Sequence, residues 1–179
     1  MAHVSNLHLS PEHSFSKHSC EEITLIAGSG VEGDAHSGPT VKHRSRVAID
    51  PSTPNLRQVH LIPLETLTNL ATEGFEIQPG DLGENITTVG LNLHDMPVGT
   101  VLRIGEDTLL ALTGLRNPCQ QIEQFRTGLL KQCLPEDANG TTQRRAGVMS
   151  VVIHGGTIRC GDAIEISLPP LPHQPLQRV

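Results

Sequence analysis

The amino-acid sequence predicts a mainly β fold: a closed antiparallel β-barrel with a few short helices. Three observations point to it. Apolar and alternating runs of strand length recur along the chain, separated by turn-forming residues. Glycines, 17 in all, punctuate the joints between those runs. Helical periodicity is confined to two stretches, too few for an α/β or all-α architecture.

Glu22-Ile-Thr-Leu-Ile-Ala27 reads as a strand, followed by Gly28-Ser-Gly-Val-Glu-Gly33. With Asp50 about twenty residues on, this is formally a dinucleotide-binding fingerprint. That fingerprint needs a helix N-terminus to receive the pyrophosphate. Gly38 and Pro39 break any helix there and no apolar stripe follows, so the segment is a glycine-rich loop without its helix. Gln58–Ile62 is the next strand. Pro63 then suits a first helical position, Leu64, Leu67 and Leu70/Ala71 form one helix face, and Gly74 ends it. Pro79–Gly90 is a turn leading into a short strand. Gly99–Ile104 and Thr108–Thr113 form a hairpin about Gly105-Glu-Asp. Val148–Ile153 is expected to pair with Thr157–Cys160 across His154-Gly-Gly156, and Gly161-Asp162 turns into a last strand, Ala163–Leu168.

A chain of 179 residues fits one domain, with residues 1–20 as an N-terminal lead-in and residues 169–179 as a proline-rich tail lying on the body. No apolar run approaches the ~18 residues that span a membrane, and the N-terminus lacks the apolar stretch of a signal peptide. A cytoplasmic protein is expected. Cys20, Cys119, Cys133 and Cys160 are far apart and form no C-x-x-C pair, which argues against a disulfide framework, a zinc ribbon or an iron–sulfur cluster. A net charge of −6, no Trp, no Tyr and three Phe argue against nucleic-acid binding. One stretch runs against the acidic balance, Lys42-His43-Arg44-Ser45-Arg46; it is either a solvated face or a site for one small anion.

The most informative residue is Cys119, placed directly after Asn117-Pro118. Asn117 is a favoured N-cap, Pro118 fits the first helical position, and Gln120 completes an Asn-x-x-Gln capping pattern. Ile122, Phe125 and Leu129 form the core stripe behind it, Thr127-Gly128 weakens the middle, and Pro135 ends any continuation. This places Cys119 in the first turn with Arg116 nearby. Helix N-termini and cations lower cysteine pKa values to ~3.5–7.5. A small hydrophobe packed in the core is the alternative; the caps, the arginine and the loop position favour the reactive thiolate. Cys133 and Cys160 read as structural, and Cys20 is open. A nucleophile would need a base, for which His36, His43, His60, His94 and His154 are candidates that sequence alone does not place. No cysteine-hydrolase signature surrounds Cys119.

Six motifs, in order, carry a family resemblance: Gly30-Val-Glu-Gly-Asp-Ala-His-Ser-Gly38, Lys42-His-Arg-Ser-Arg46, Arg57-Gln-Val-His-Leu-Ile62, Pro79-Gly-Asp-Leu-Gly-Glu-Asn-Ile-Thr87, Thr113-Gly-Leu-Arg-Asn-Pro-Cys119 and Gly147-Val-Met149. Together they resemble the stand-alone MOSC domain proteins, relatives of the C-terminal domain of molybdenum cofactor sulfurase, from about His13 to the C-terminus. The resemblance implies a closed β-barrel and an anionic molybdopterin bound in a cleft. The motif cysteine would stand at the metal. In the amidoxime-reducing relatives that cysteine ligates molybdenum, and it matches Cys119. Arg44 is implied for the pterin phosphate, with Lys17 as a second candidate. Asn85 matches a residue near the cofactor, and Asp34 and His36 carry over as cleft residues without an assigned role, although turn chemistry accounts for both. Arg116 and Asn117 belong to the cysteine motif and are taken with it.

Three functions are weighed. The first is a molybdenum-cofactor enzyme that reduces N-hydroxylated compounds such as hydroxylamino purines or amidoximes, with Cys119 as metal ligand. The second is a carrier that delivers the cofactor, or sulfur as a Cys119 persulfide, to an acceptor protein. The third is a metal-free cysteine hydrolase. The sequence shows no pyridoxal-phosphate desulfurase domain, no ferredoxin cysteine pattern and no flavin domain. A reductase would therefore draw electrons from a separate donor protein and act on a small molecule, with neither nucleic acid nor membrane as partner.

Overall fold

A computed structural model of the chain describes residues 1–42 and 47–179. The basic stretch His43, Arg44, Ser45 and Arg46 lies outside the described residues, and with it the expectation for Arg44.

Eleven strands are described: β1 (His3–Leu9), β2 (His18–Cys20), β3 (Glu22–Ile26), β4 (Gly30–Val31), β5 (Val59–Pro63), β6 (Ile86–Val89), β7 (Val101–Ile104), β8 (Thr108–Leu115), β9 (Val148–His154), β10 (Gly156–Arg159) and β11 (Ile164–Ser167). The described helices are α1 (Leu64–Thr72), α2 (Gln120–Phe125) and α3 (Leu129–Gln132), with one 3-10 turn at Leu93–Asp95. No described helix is long and apolar enough to cross a membrane.

Eight strands form one sheet in the order β11-β7-β8-β9-β5-β6-β1-β2, and β10-β3-β4 form a second. The mainly β expectation holds; the closed, wholly antiparallel barrel does not. Strands β5 and β6 pair in parallel, with α1 as the crossover between them. The large sheet curls until its ends approach, but they meet only where β1 reaches the turn before β11. There Val4 N donates to Asp162 O (2.9 Å), Ile164 N donates to Ala2 O (2.9 Å), and His3 and Ala163 form an isolated bridge. The ladder stops at that bridge because β1 then turns its free edge to β2, through Leu7–Leu9.

A second correction concerns β10. It pairs with β3, not with its sequence neighbour β9. Gly155 and Gly156 let the chain corner between sheets: a Cβ on Gly155 would press on Leu25 O at 2.5 Å, and one on Gly156 on Thr108 Oγ1 at 2.6 Å. The hairpin of β7 and β8 is found as expected. Burial along β8 alternates strictly, Thr108, Leu110, Leu112 and Gly114 facing in. Helix α1 buries Leu67 and Leu70, while Ala71 is exposed; Pro63 is its cap and the last residue of β5 rather than its first helical residue.

Two apolar cores result. The larger joins residues from most strands, among them Val4, Leu61, Ile86, Leu110 and Val148. The smaller lies where the helices cover the sheet and contains Ile62, Leu67, Leu82, Ile122, Leu129 and Cys133. The tail residues 174–179 are fastened to β8: Leu115 N donates to Gln177 O (2.8 Å), Val179 N to Leu115 O (3.3 Å), and Leu176 is buried. Gly114 makes this possible, since a Cβ there would collide with Gln177 O and the Val179 side chain.

Candidate functional site

The end of β8 carries the chain from the sheet into the site. After Leu115, Arg116 N still donates to Gly147 O at 3.0 Å, so the strand geometry continues one residue further. A register shift between Leu112 and Gly114 re-aims the strand just before this point. Arg116 swings its guanidinium under the neighbouring loop, where Nη1 donates to Leu82 O and Cζ stands 5.9 Å over the Phe15 ring. Anchored in this way, the segment stays extended through Cys119 (φ −130°, ψ 172°), and α2 begins only at Gln120. Cys119 is thus itself the cap of α2. The expected arrangement, with Asn117 as cap and Cys119 inside the first turn, is not formed. A six-residue helix behind an extended cysteine does not supply the dipole that expectation relied on. The core stripe is only partly as expected: Ile122 and Leu129 are buried, Phe125 is exposed, and Gly128 separates α2 from α3.

A cavity of about 310 Å³ opens beside this segment. It lies at the low end of the range for small-molecule sites, roughly 300–1,000 Å³. Lys17, Arg57 and Arg116 line it, together with His36, His60 and Asn85, and no carboxylate lines it among the described residues. Four of the sequence-predicted residues therefore converge: Lys17, His36, Asn85 and Arg116. Asn117 and Cys119 do not line the cavity; Cys119 stands at its edge, half-buried, where Sγ donates to Oε1 of the lining residue Gln121 at 3.6 Å.

Asp34 sits behind the lining and ties it together. Its Oδ2 accepts from Lys17 Nζ (2.5 Å), Asn85 Nδ2 (3.1 Å) and Ser10 N (3.3 Å), and its Oδ1 accepts from His36 N (2.9 Å). Both side chains of the Lys17–Asp34 pair are almost fully buried, 4% and 3% exposed. Burial would raise the Asp34 pKa, but the hydrogen bond from His36 and the Lys17 ammonium outweigh it and hold the carboxyl well below the usual range. Burial also pulls Lys17 down, against the opposing pull of Asp34. Asn85 continues the network: Nδ2 also donates to His8 O (3.2 Å), and Oδ1 accepts from His60 N (3.2 Å). Asp34 and His36 do form a turn, with Ser37 N donating to Asp34 O at 3.0 Å, and His36 also lines the cavity.

His60 is a neutral wall. Burial and the nearby Arg116 charge depress its pKa well below 6.5, and Nε2 donates to Ala146 O at 2.9 Å. Glu84, wholly buried below the lining, accepts from Gly80 N (2.6 Å) with Oε1 while Oε2 has no partner; burial raises its pKa. Among the remaining candidate bases, His94 faces a different cleft, His154 is exposed on Asp107 O, and His43 is outside the described residues. Cys133 is structural as expected, its thiol pushed up to about 11 by burial despite Arg116. Cys160, also expected to be structural, is exposed just beyond the end of β10.

Sequence reasoning had not assigned Arg57, Phe15, His13 or Gln121 to the site. Arg57 stood in a quoted motif, and its signal was a charge set directly before an apolar strand. Gln121 was visible only as the neighbour of Cys119.

A family model for the MOSC domain matches residues 33–165. The chain belongs to the MOSC domain family. Its fold is similar to that of the YuaD protein from Bacillus subtilis, with a TM-score of 0.77 at 23% identity, over 94% of this chain and 97% of that one. YiiM from Geobacillus stearothermophilus is similar at a TM-score of 0.66 and 15% identity, covering 98% and 80% of the two chains. YiiM from Escherichia coli follows at 0.64 and 20%, covering 97% and 73%. No curated protein sequence matches the chain. The MOSC family is associated with the molybdenum cofactor. Arg57 and Arg116 suit a phosphate, Lys17 being paired with Asp34 behind them, and the Cys119 thiol is a soft donor suited to molybdenum. Among the described residues no group of three His, Cys, Asp or Glu side chains could cage a metal, so Cys119 would supply one ligand rather than a full set. The residues present fit the cofactor.

Proposed function

We propose that this MOSC protein binds the molybdenum cofactor in the 310 Å³ cavity and reduces N-hydroxylated compounds, of which hydroxylamino purines and amidoximes are the expected types. One observation carries the reading. Two arginines and the Asp34-paired Lys17 line a single cavity that no carboxylate lines among the described residues, and a half-buried thiol stands at its edge. Arg57 and Arg116 would hold the phosphate by charge-assisted hydrogen bonds. The Asp34 network fixes Lys17, Asn85 and the loop before β2 against them. Cys119 would be the protein's ligand to molybdenum, as a thiolate. Arg44 remains a phosphate partner implied by family resemblance. When bound, the cofactor supplies the two-electron chemistry. The overall reaction breaks an N–O bond, consumes two electrons and two protons, and releases water. The electrons come from a separate donor reductase.

A second reading, a carrier of cofactor or persulfide sulfur, is favoured by one feature: the hydrogen-bond partner of Cys119 Sγ is the exposed Gln121, which leaves the sulfur within reach of an acceptor protein. The hydrolase reading lacks comparable support, since that partner is not an imidazole. Turnover with a chemically reduced donor separates them. The enzyme reading expects reduction of a hydroxylamino purine by the wild type and none by Cys119→Ser. The carrier reading expects cyanide-releasable sulfur on the wild type, and reduction by neither. A Cys119→Ser protein that keeps its molybdenum and the wild-type rate would overturn the role given to Cys119.

A further inference from the structure

A second cleft, of about 820 Å³, lies on the other side of the β8 terminus. Leu115 lines it, whereas the next residue, Arg116, lines the first cavity, and the two share no lining residue. Helix α1 forms one wall with Glu65, Asn69 and Glu73. Residues 90–95 form the floor, and the segment carrying Gln143, Arg144 and Arg145 forms the facing wall.

The acidic and basic groups of this cleft are in different situations. Glu65 Oε1 accepts from Gly90 N at 2.7 Å, and Asp95 Oδ2 accepts from Asn92 Nδ2 at 2.5 Å, so both carboxylates are engaged within the wall and floor. Arg144 and Arg145 make no ion pair among the described residues, although three carboxylates line the same cleft. Arg144 Nε is buried without a partner, and so is His94 Nε2. Buried polar atoms are almost always paired, and leaving them unpaired costs free energy that a ligand can recover. His94 is a neutral ring, its pKa lowered to about 4 by burial and then by the Arg145 charge, so its free nitrogen can serve as donor or acceptor by choice of tautomer. Two guanidinium groups line the one cleft, and each presents a planar fork that matches the oxygens of a phosphate or carboxylate. The engaged carboxylates opposite them disfavour a polyanion and suit a compact molecule with one anionic end.

We propose that this cleft is a second ligand site, where Arg144, Arg145 and His94 receive the oxyanion end of a small phosphorylated or carboxylated molecule. The inference does not depend on the function proposed for the first cavity.

Two-dimensional amide NMR of the full chain tests it, with inorganic phosphate and succinate as probes against sodium chloride at matched ionic strength. Saturable shifts are expected at Leu91–Asp95 and Gln143–Ala146 with at least one probe. The probe that saturates names the chemistry: phosphate alone a phosphoryl group, succinate alone a carboxylate, both an oxyanion of either kind. An R144A/R145A variant, shown folded by its own spectrum, should bind at these amides roughly tenfold more weakly or worse, while shifts at Gly83 and Gln121 of the first cavity stay as in the wild type. Shifts no larger than those with chloride, or saturation confined to the first cavity, would overturn the second site and leave the reading of the first one standing.

Discussion

Replacing Asp34 by Asn removes one charge from the centre of the site and leaves the shape nearly unchanged. The carboxylate accepts from Lys17, Asn85, Ser10 and His36, and its most demanding partner is Lys17, whose side chain is 4% exposed. Without Asp34 the ammonium is buried with no counter-charge, a loss of about 3–5 kcal/mol in comparable pairs. An independent limit agrees. If Lys17 instead sheds its proton on folding, neutralising a lysine of ordinary pKa 10.5 at pH 7 costs about 5 kcal/mol, at ~1.4 kcal/mol per pH unit. Urea unfolding at pH 7 should therefore show Asp34→Asn destabilised by about 3–5 kcal/mol, much of the stability of an ordinary domain. The second limit has a pH signature. The unfolded variant binds a proton at Lys17 that the folded variant does not, so its deficit should shrink as pH rises from 7 to 9. A loss below about 1 kcal/mol, with no such pH dependence, would refute the view that this pair fastens the site.

Gly83→Ala should cost about 1–3 kcal/mol, because Gly83 has φ +79° and an added Cβ would strike Phe15 O; Gly28→Ala, at φ +68° in open space, should cost less in the same thermal-unfolding assay. Deleting residues 174–179 removes the two bonds to Leu115 and the buried Leu176, with an expected loss of about 2–4 kcal/mol and faster hydrogen exchange at Leu115 and Arg116. Acid should destabilise the fold well before the carboxylates titrate. Burial first of all lowers His8 and His94 to about 4 and holds His60 well below 6.5, so stability is full above pH 6.5 and falls as pH drops from there towards 4. Each ring contributes up to about 1.4 kcal/mol per pH unit to a urea midpoint followed from pH 7 to 5.

What the sequence made legible was local. Alternation located β8, the glycine turn located its hairpin with β7, and apolar spacing found α1, because each signal lies within a few residues. Long-range partnering was not legible. Nothing local tells β10 to leave β9 for β3, nor that β6 runs parallel to β5. The same division holds at the site. Arg116 and Asn85 line the cavity and stand in distinctive motifs, but the cap pattern misplaced Cys119 by ignoring what holds Arg116. Contacts with Gly147 and Leu82, distant in sequence, keep that segment extended against its capping propensity. Arg57 and His60 were missed as lining residues because only the sheet brings β5 alongside Asn85.

Whether this cavity holds the molybdenum cofactor is decided by the molybdenum and pterin content of protein freshly purified from a cofactor-competent host, with metal measured by elemental analysis and pterin by fluorescence after oxidative release. Both are expected in near-equal amounts with the protein chain. Cys119→Ser should retain pterin but lose the thiolate ligation of molybdenum and reductase activity, while removing the Arg57 and Arg116 side chains together should strip the pterin. A wild-type protein from that host with neither molybdenum nor pterin, or one that keeps both after the loss of Arg57 and Arg116, would contradict cofactor binding in this cavity.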